Sequence, residues 1–248
     1  MVIQSLIMLK KVITLFLFFG FQVPLLAQNR QVANHANAWL MYFGTHKFAS
    51  KWSVHLEAQW RRNQWVQQPQ QLLLRTAMNY QAASNLQTSI GYCYVDTYPY
   101  GDFPVSKSFP EHRIWEQIQT RQQIGKLEWI NRYRLEQRFM YPNGEVPVYQ
   151  NRFRFLTRIS VPFHGPEIRD RSWYLSLYNE SMISFGKQVK LNAFDQNRAY
   201  AALGYKVPGL GRLELGYLLQ ILLKSDGVRQ ENNHTLQIGL TTSFPIVK

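Results

Sequence analysis

From about residue 35 onward the chain alternates. Apolar and polar side chains trade places at every second position, and turn-rich segments break the pattern into stretches. A period of two puts successive side chains on opposite faces of a strand, whereas a period near 3.6 would mark a helix. In 52–61, Trp52, Val54, Leu56, Ala58 and Trp60 share one face; Ser53, His55, Glu57, Gln59 and Arg61 share the other. In 127–139, Trp129, Tyr133, Leu135 and Phe139 oppose Glu128, Arg132, Arg134, Glu136 and Arg138. In 149–161, Phe153, Phe155, Ile159 and Val161 oppose Arg152, Arg154 and Arg158. In 212–223, Leu213, Leu215, Tyr217, Leu219 and Ile221 oppose Arg212, Glu214, Gly216 and Gln220.

Eleven such segments are visible: 36–44, 51–63, 71–80, 86–96, 112–124, 127–139, 149–161, 171–183, 193–206, 212–223 and 232–244. Their lengths suit strands that cross a bilayer, which need about 9–11 residues. Bacterial single-chain barrels carry an even strand count, so the expectation is twelve strands, with ten as the alternative. The weakest periodicity lies in 28–36 and the first hairpin. Short connections near 49–50, 82–85, 125–126, 164–169 and 208–211 alternate with longer ones at 64–70, 97–111, 140–148, 184–192 and 224–231. Short turns on one rim and longer loops on the other are the habit of outer-membrane barrels.

The apolar face is rich in Trp, Tyr, Phe, Leu and Ile. The opposite face carries Arg61, Arg75, Arg113, Arg121, Arg132, Arg134, Arg138, Arg152, Arg154, Arg158, Arg198 and Arg212, with Glu57, Glu111, Glu136, Glu180 and Glu214 among them. A soluble sandwich turns Lys, Glu and Thr to bulk water. Arginines and lone glutamates in register instead suit the interior of a closed cylinder whose outside meets hydrocarbon. Closure is physically required there, because no open sheet edge can stay unpaired in lipid. The expected fold is therefore all-β, an antiparallel transmembrane barrel over 28–248.

Composition supports this. Aromatic residues are 15% of the chain and charged residues only 17%. The 28 basic residues outnumber 15 acidic ones, giving a formal charge of +13. No nucleic-acid motif accompanies that excess, so nucleic acid is not an expected partner. Cys93 is the only cysteine, which leaves no intramolecular disulfide and no cysteine-built zinc site. At the start, Lys10 and Lys11 precede the apolar run 12–21, and Leu25, Ala27 and Gln28 offer a cleavage point. The run is too short for a spanning helix, which needs about 20 residues. Residues 1–27 read as a cleavable signal peptide, and Met8 is a second candidate start. Removal takes the charge to +11, with 26 basic residues against 15 acidic.

Several stretches resemble an uncharacterised outer-membrane barrel family, the domain of unknown function numbered 2490. They include 71–75 (QLLLR), 111–117 (EHRIWEQ), 132–139 (RYRLEQRF), 151–154 (NRFR), 194–198 (FDQNR) and 213–217 (LELGY), in order along nearly the whole mature chain. The early NAWLMYFG stretch looks like the Bacteroidetes versions. The resemblance implies a barrel in the Gram-negative outer membrane and implies no activity. The chain departs from barrel habit at its end, where Pro245, Ile246, Val247 and Lys248 follow Phe244.

The inner charge ladder is the strongest candidate for function: Arg61, Arg75, Arg113, Arg132, Arg134, Glu136, Arg138, Arg152, Arg154, Glu180, Arg198 and Glu214. It reads either as the lining of a narrow pore or binding barrel for small anionic solutes, or as a salt-bridged plug. In the plug reading, Tyr98, Tyr100, Phe103 and Phe109 of the longest loop stand exposed to capture a partner. A lipid hydrolase needs a nucleophile within reach of a base. No G-x-S-x-G motif is present, and Ser53 and His55 sit two apart on a strand, about 7 Å along it. Glu111 and Glu116 are five apart and fall on opposite faces. Asp195, Asn197, Asp226 and Glu231 match no calcium-loop spacing. Neither a metal nor a cofactor is expected, and the chain reads as non-enzymatic. Gly91, Gly204, Gly216 and Gly239 interrupt strand patterns, where glycine makes room for a large neighbour or a bend.

Overall fold

The computed structural model describes residues 30–246. The expected leader at 1–27 and its cleavage point lie outside the described residues. Residues from Gln31 onward form one unit. Eleven strands run β1 (Gln31–Lys47), β2 (Trp52–Asn63), β3 (Gln68–Ala83), β4 (Leu86–Thr97), β5 (Phe109–Ile124), β6 (Leu127–Met140), β7 (Val148–Pro162), β8 (Trp173–Phe185), β9 (Phe194–Val207), β10 (Gly211–Leu223) and β11 (Arg229–Thr242). Each pairs with its neighbours in chain order, and β1 closes on β11.

Each observed strand coincides with one periodic segment of the sequence, to within a few residues at its ends. The even count of twelve or ten is corrected to eleven among the described residues. The parity rule assumes that the first and last strands run antiparallel. Here β1 and β11 pair in parallel, from Gln31↔Arg229 to Gly44↔Thr242, so an odd number closes without an edge. All other neighbours are antiparallel. β1 begins five residues before its periodic segment. Ala33, His35 and Asn37 alternate in burial there, but Asn34 and Ala36 opposite them give no apolar signal.

The wall is inside out relative to a soluble domain. Trp60 is 43% exposed, Leu74 46% and Leu215 54%, all on the outer surface. Their strand neighbours Arg61, Arg75 and Glu214 are buried inside. The alternation of the sequence is thus an alternation of outside and inside. The interior is not purely polar, however. Leu73, Ala77, Cys93, Val95 and Trp115 form one buried apolar cluster, and Trp39, Tyr200, Ala202 and Leu218 another. Large inward rings need glycines opposite them. A methyl group on Gly91 would meet Trp115 Cζ2 at 2.6 Å, and one on Gly204 would meet Tyr174 Cζ at 2.2 Å. The room made by Gly91, Gly204 and Gly216 is used by aromatic rings, whereas nothing lies within 4 Å of the Gly239 position.

We call the upper mouth the rim with connections 64–67, 98–108, 141–147, 186–193 and 224–228, and the lower mouth the rim with 48–51, 84–85, 125–126, 163–172 and 208–210. Four of the five lower connections are short, as expected. The fifth, 163–172, is longer than the expected 164–169 and carries two positive-φ residues, Gly165 and Arg171.

Candidate functional site: a charged interior with closed centre

The inward positions of β5 to β9 converge on Glu136, which is 0% exposed. Arg152 donates to it through Nη2 at 2.5 Å and Arg154 through Nη1 at 2.7 Å. Arg75, Arg113 and Arg134 stand at 3.8, 3.8 and 3.9 Å. Around this centre the other carboxylates each take arginines. Glu180 accepts from Arg132 and Arg154, both at 2.7 Å, with Arg198 at 3.4 Å. Glu111 accepts from Arg113 at 2.7 Å and Arg138 at 2.5 Å. Glu57 accepts from Arg75 at 2.5 Å, beside His55 at 3.2 Å. Such pairing is what burial demands, since an unpaired buried ion is costly.

Nearer the lower mouth, Glu214 accepts from Arg158 and from the Tyr174 hydroxyl at 2.9 Å, and Arg212 donates to Glu128 at 2.6 Å. At the upper mouth Glu231 pairs with Lys224 at 2.5 Å and accepts from Tyr100 at 2.9 Å. The twelve ladder residues therefore all face inward. Ten of them, Arg75 to Arg154 along the chain with Glu180 and Arg198, are linked around Glu136, Glu180, Glu111 and Glu57. Glu214 belongs to the lower-mouth pairs. Arg61 stands apart, donating to Gln59 at 2.9 Å and to Gln71 at 2.7 Å beneath the Trp39 ring at 4.1 Å. Arg121 is exposed on the lower rim.

Several interior groups escaped the sequence reading. Asp195 accepts from Arg152 at 3.0 Å. A register shift between Met182 and Ile183 makes both Asp195 and Gln196 buried, and no periodicity reveals such a bulge. Trp115 did carry a signal, since it lies four residues after Glu111 and so on the same inward face. Trp39 is inward as well, donating through Nε1 to Gln70 at 2.7 Å.

The longest loop also differs from expectation. Tyr98, Tyr100, Phe103 and Phe109 are all partly buried rather than exposed. The loop between β4 and β5 folds across the mouth toward β1 and β11. Tyr100 reaches Glu231, the Asp102 amide donates to His35 Nε2 at 3.1 Å, and Arg229 lies over the Phe103 ring at 5.6 Å. The buried Glu231 carboxylate, needing donors, accounts for the inward turn. Burial and that carboxylate together push the Tyr100 phenol well above its ordinary value.

The remaining candidates separate. Ser53 accepts from Asn79 at 3.2 Å, not from His55. Glu111 is inside, while Glu116 is outside and accepts from Gln137 at 3.1 Å. Asp226 caps its own turn through the amides of Val228 and Arg229, at 3.0 and 2.9 Å, whereas Asp195 accepts from Arg152. Among the described residues no three His, Cys, Asp or Glu side chains group as metal ligands. At the lower mouth lies a cavity of about 750 Å³, lined by Lys47, Lys51, Arg121, Lys206 and Arg212 with Asp170, by Ser, Thr, Gln and Asn side chains, and by apolar groups that include Trp52, Leu210 and Phe244.

A closed sheet with charges locked inside and apolar side chains around its outer wall defines a β-barrel with a polar interior. Residues 36–232 match the family described as protein of unknown function (DUF2490), and the chain belongs to that family. Comparison with curated proteins and with solved structures found no match.

Proposed function

We propose that the protein is a non-enzymatic barrel of the Gram-negative outer membrane that binds small anionic solutes in its basic interior, entered from the lower mouth. The observation that carries this reading is the inverted wall. Soluble monomers rarely expose apolar patches beyond a few hundred Å², yet here leucine, isoleucine and aromatic side chains stay exposed on strand after strand. Hydrocarbon is the solvent that makes such a surface favourable, and a sheet without edges is what hydrocarbon requires.

The solute preference rests on charge. Lys47, Lys51 and Arg121 of the lower cavity have no carboxylate within 4 Å among the described residues. Binding is favoured over an open pore because the centre is packed, with Glu136, Arg134 and Arg154 buried. The same closed centre suits a purely structural barrel, but Tyr98, Tyr100 and Phe103 of the longest loop are partly buried, which gives partner capture less support than solute binding.

The test uses the purified full chain in lipid. Titration with pyrophosphate should show binding that the triple variant Lys47→Gln/Lys51→Gln/Arg121→Gln weakens at least tenfold, with no steady conductance across a planar bilayer. Persistent anion conductance would establish a pore instead. Absence of pyrophosphate binding, or recovery of the chain outside the outer-membrane fraction, would overturn the reading.

A further inference from the structure

The centre of the barrel is not electrically balanced. Nine arginines, at 61, 75, 113, 132, 134, 138, 152, 154 and 198, face five carboxylates, Glu57, Glu111, Glu136, Glu180 and Asp195. The excess is four positive charges in a mostly buried region, with Arg132 and Arg138 only partly exposed at its edges. A buried lysine would shed its proton, but a guanidinium does not. The pairs nearer the mouths do not relieve the excess, since Glu214, Glu128 and Glu231 are each engaged by a basic group of their own. Residues 1–30 contain no Asp or Glu.

Three of the buried donors left without a partner belong to side chains that lie against one another. Trp115, 1% exposed, has Arg134 over its ring at 4.1 Å and Arg75 at 5.7 Å. Arg134, 3% exposed, gives Nε and Nη2 to the Gln117 amide oxygen at 3.0 and 2.6 Å, and no carboxylate lies within hydrogen-bond distance of it. Arg134 Nη1, Arg75 Nε and Trp115 Nε1 are buried and find no acceptor among the described residues. Glu136 does not serve them: its Oε1 stands 3.9 Å from Arg134 Nη1, beyond hydrogen-bond reach, and its hydrogen bonds go to Arg152 and Arg154. At the other buried tryptophan the indole N–H is bonded to Gln70, and of its two arginines only Arg198 leaves a donor, Nε, unpaired.

We propose that a single halide ion, chloride under physiological conditions, binds at Trp115, Arg134 and Arg75 as a structural counter-ion of the closed centre. Water would satisfy the three N–H groups but not the surplus charge, and uncompensated buried charge is what the interior tolerates least. A monatomic anion needs the least room, which fits groups packed tightly enough that Gly91 must lack a side chain. This site is separate from the cavity at the lower mouth and does not depend on solute binding there.

The experiment compares the full chain, purified in detergent, in sodium chloride and in sodium gluconate at equal ionic strength. At about 100 times its Kd, chloride should raise the Tm by roughly 5–10 °C. Arg134→Gln should abolish that rise, and Arg61→Gln should retain it. Crystals soaked in bromide should show an anomalous peak beside Arg134 and Trp115. Equal Tm in the two salts overturns the proposal, as does an undiminished rise in Arg134→Gln. Bromide found only at Lys47 and Lys51 overturns it too, while leaving the mouth site intact. Should Arg134→Gln fail to fold, the bromide map of the unaltered chain decides, and density there without bromide signal means water alone.

Discussion

Carboxylates and guanidinium groups pair in two settings in this barrel, at the dry centre and on the wet rims. At the centre, Glu136 draws five arginines to within 4 Å of one carboxylate that water cannot reach. On the lower rim, Arg169 and Glu167 meet at 3.0 Å with about two thirds of each side chain in solvent. On the upper rim Asp226 pairs with Arg229 within one turn. The chemistry is the same and the consequence is not. A rim pair contributes about 0–1 kcal/mol and is screened by salt. Central pairs hold elements far apart in sequence, and removing one partner strands the other without water to replace it.

The largest effect should therefore follow Glu136→Gln. Loss of the shared charge should destabilise the barrel by about 3–5 kcal/mol, measured by denaturant unfolding in detergent, where a Glu167→Gln variant should barely differ from the unaltered chain. A loss below 1 kcal/mol for Glu136→Gln would erase the distinction between centre and rim. An intermediate effect separates the two buried tryptophans. Without chloride, Trp39→Phe should cost about 1–3 kcal/mol more than Trp115→Phe, because only the Trp39 indole gives up a bonded partner, Gln70. Equal losses would mean that the Trp115 N–H is satisfied within the protein after all.

The smallest effect lies at the upper rim. The amide and guanidinium of Arg229 hold the Asp226 carboxyl down at about 2. Its contribution to the 224–228 turn is complete above the ordinary carboxyl range and should disappear as pH falls through about 2. Amide exchange at Val228 and Arg229 would rise over that interval while the strands stay protected. Protection lost near pH 4 would show that the carboxyl is not depressed.

Much of this organisation is legible in the sequence, and the physical reason is the pleat. Alternation assigns Trp60 and Leu74 to the outside and Arg61 and Arg75 to the inside without knowledge of any partner. It also places Glu111 and Glu116 on opposite faces. What it does not reveal is whatever depends on two distant segments at once. The parallel seam, the bulge that brings Asp195 to Arg152, and the turn of Tyr100 toward Glu231 have no local signature. Composition alone does not place Trp39 and Trp115, because an arginine-lined interior welcomes an aromatic face as readily as lipid does.

The seam has a consequence for re-engineering the chain. Since β1 and β11 run side by side in the same direction, Gln31 opens at one mouth and Thr242 ends at the other. Fourteen residues of strand separate the two levels, about 45 Å at the usual rise. Joining the ends to make a circular permutant would thus take a tether running the length of the cylinder. A flexible one would need roughly 60–70 residues for its mean span to match that distance. In an antiparallel seam a tight turn would have been enough.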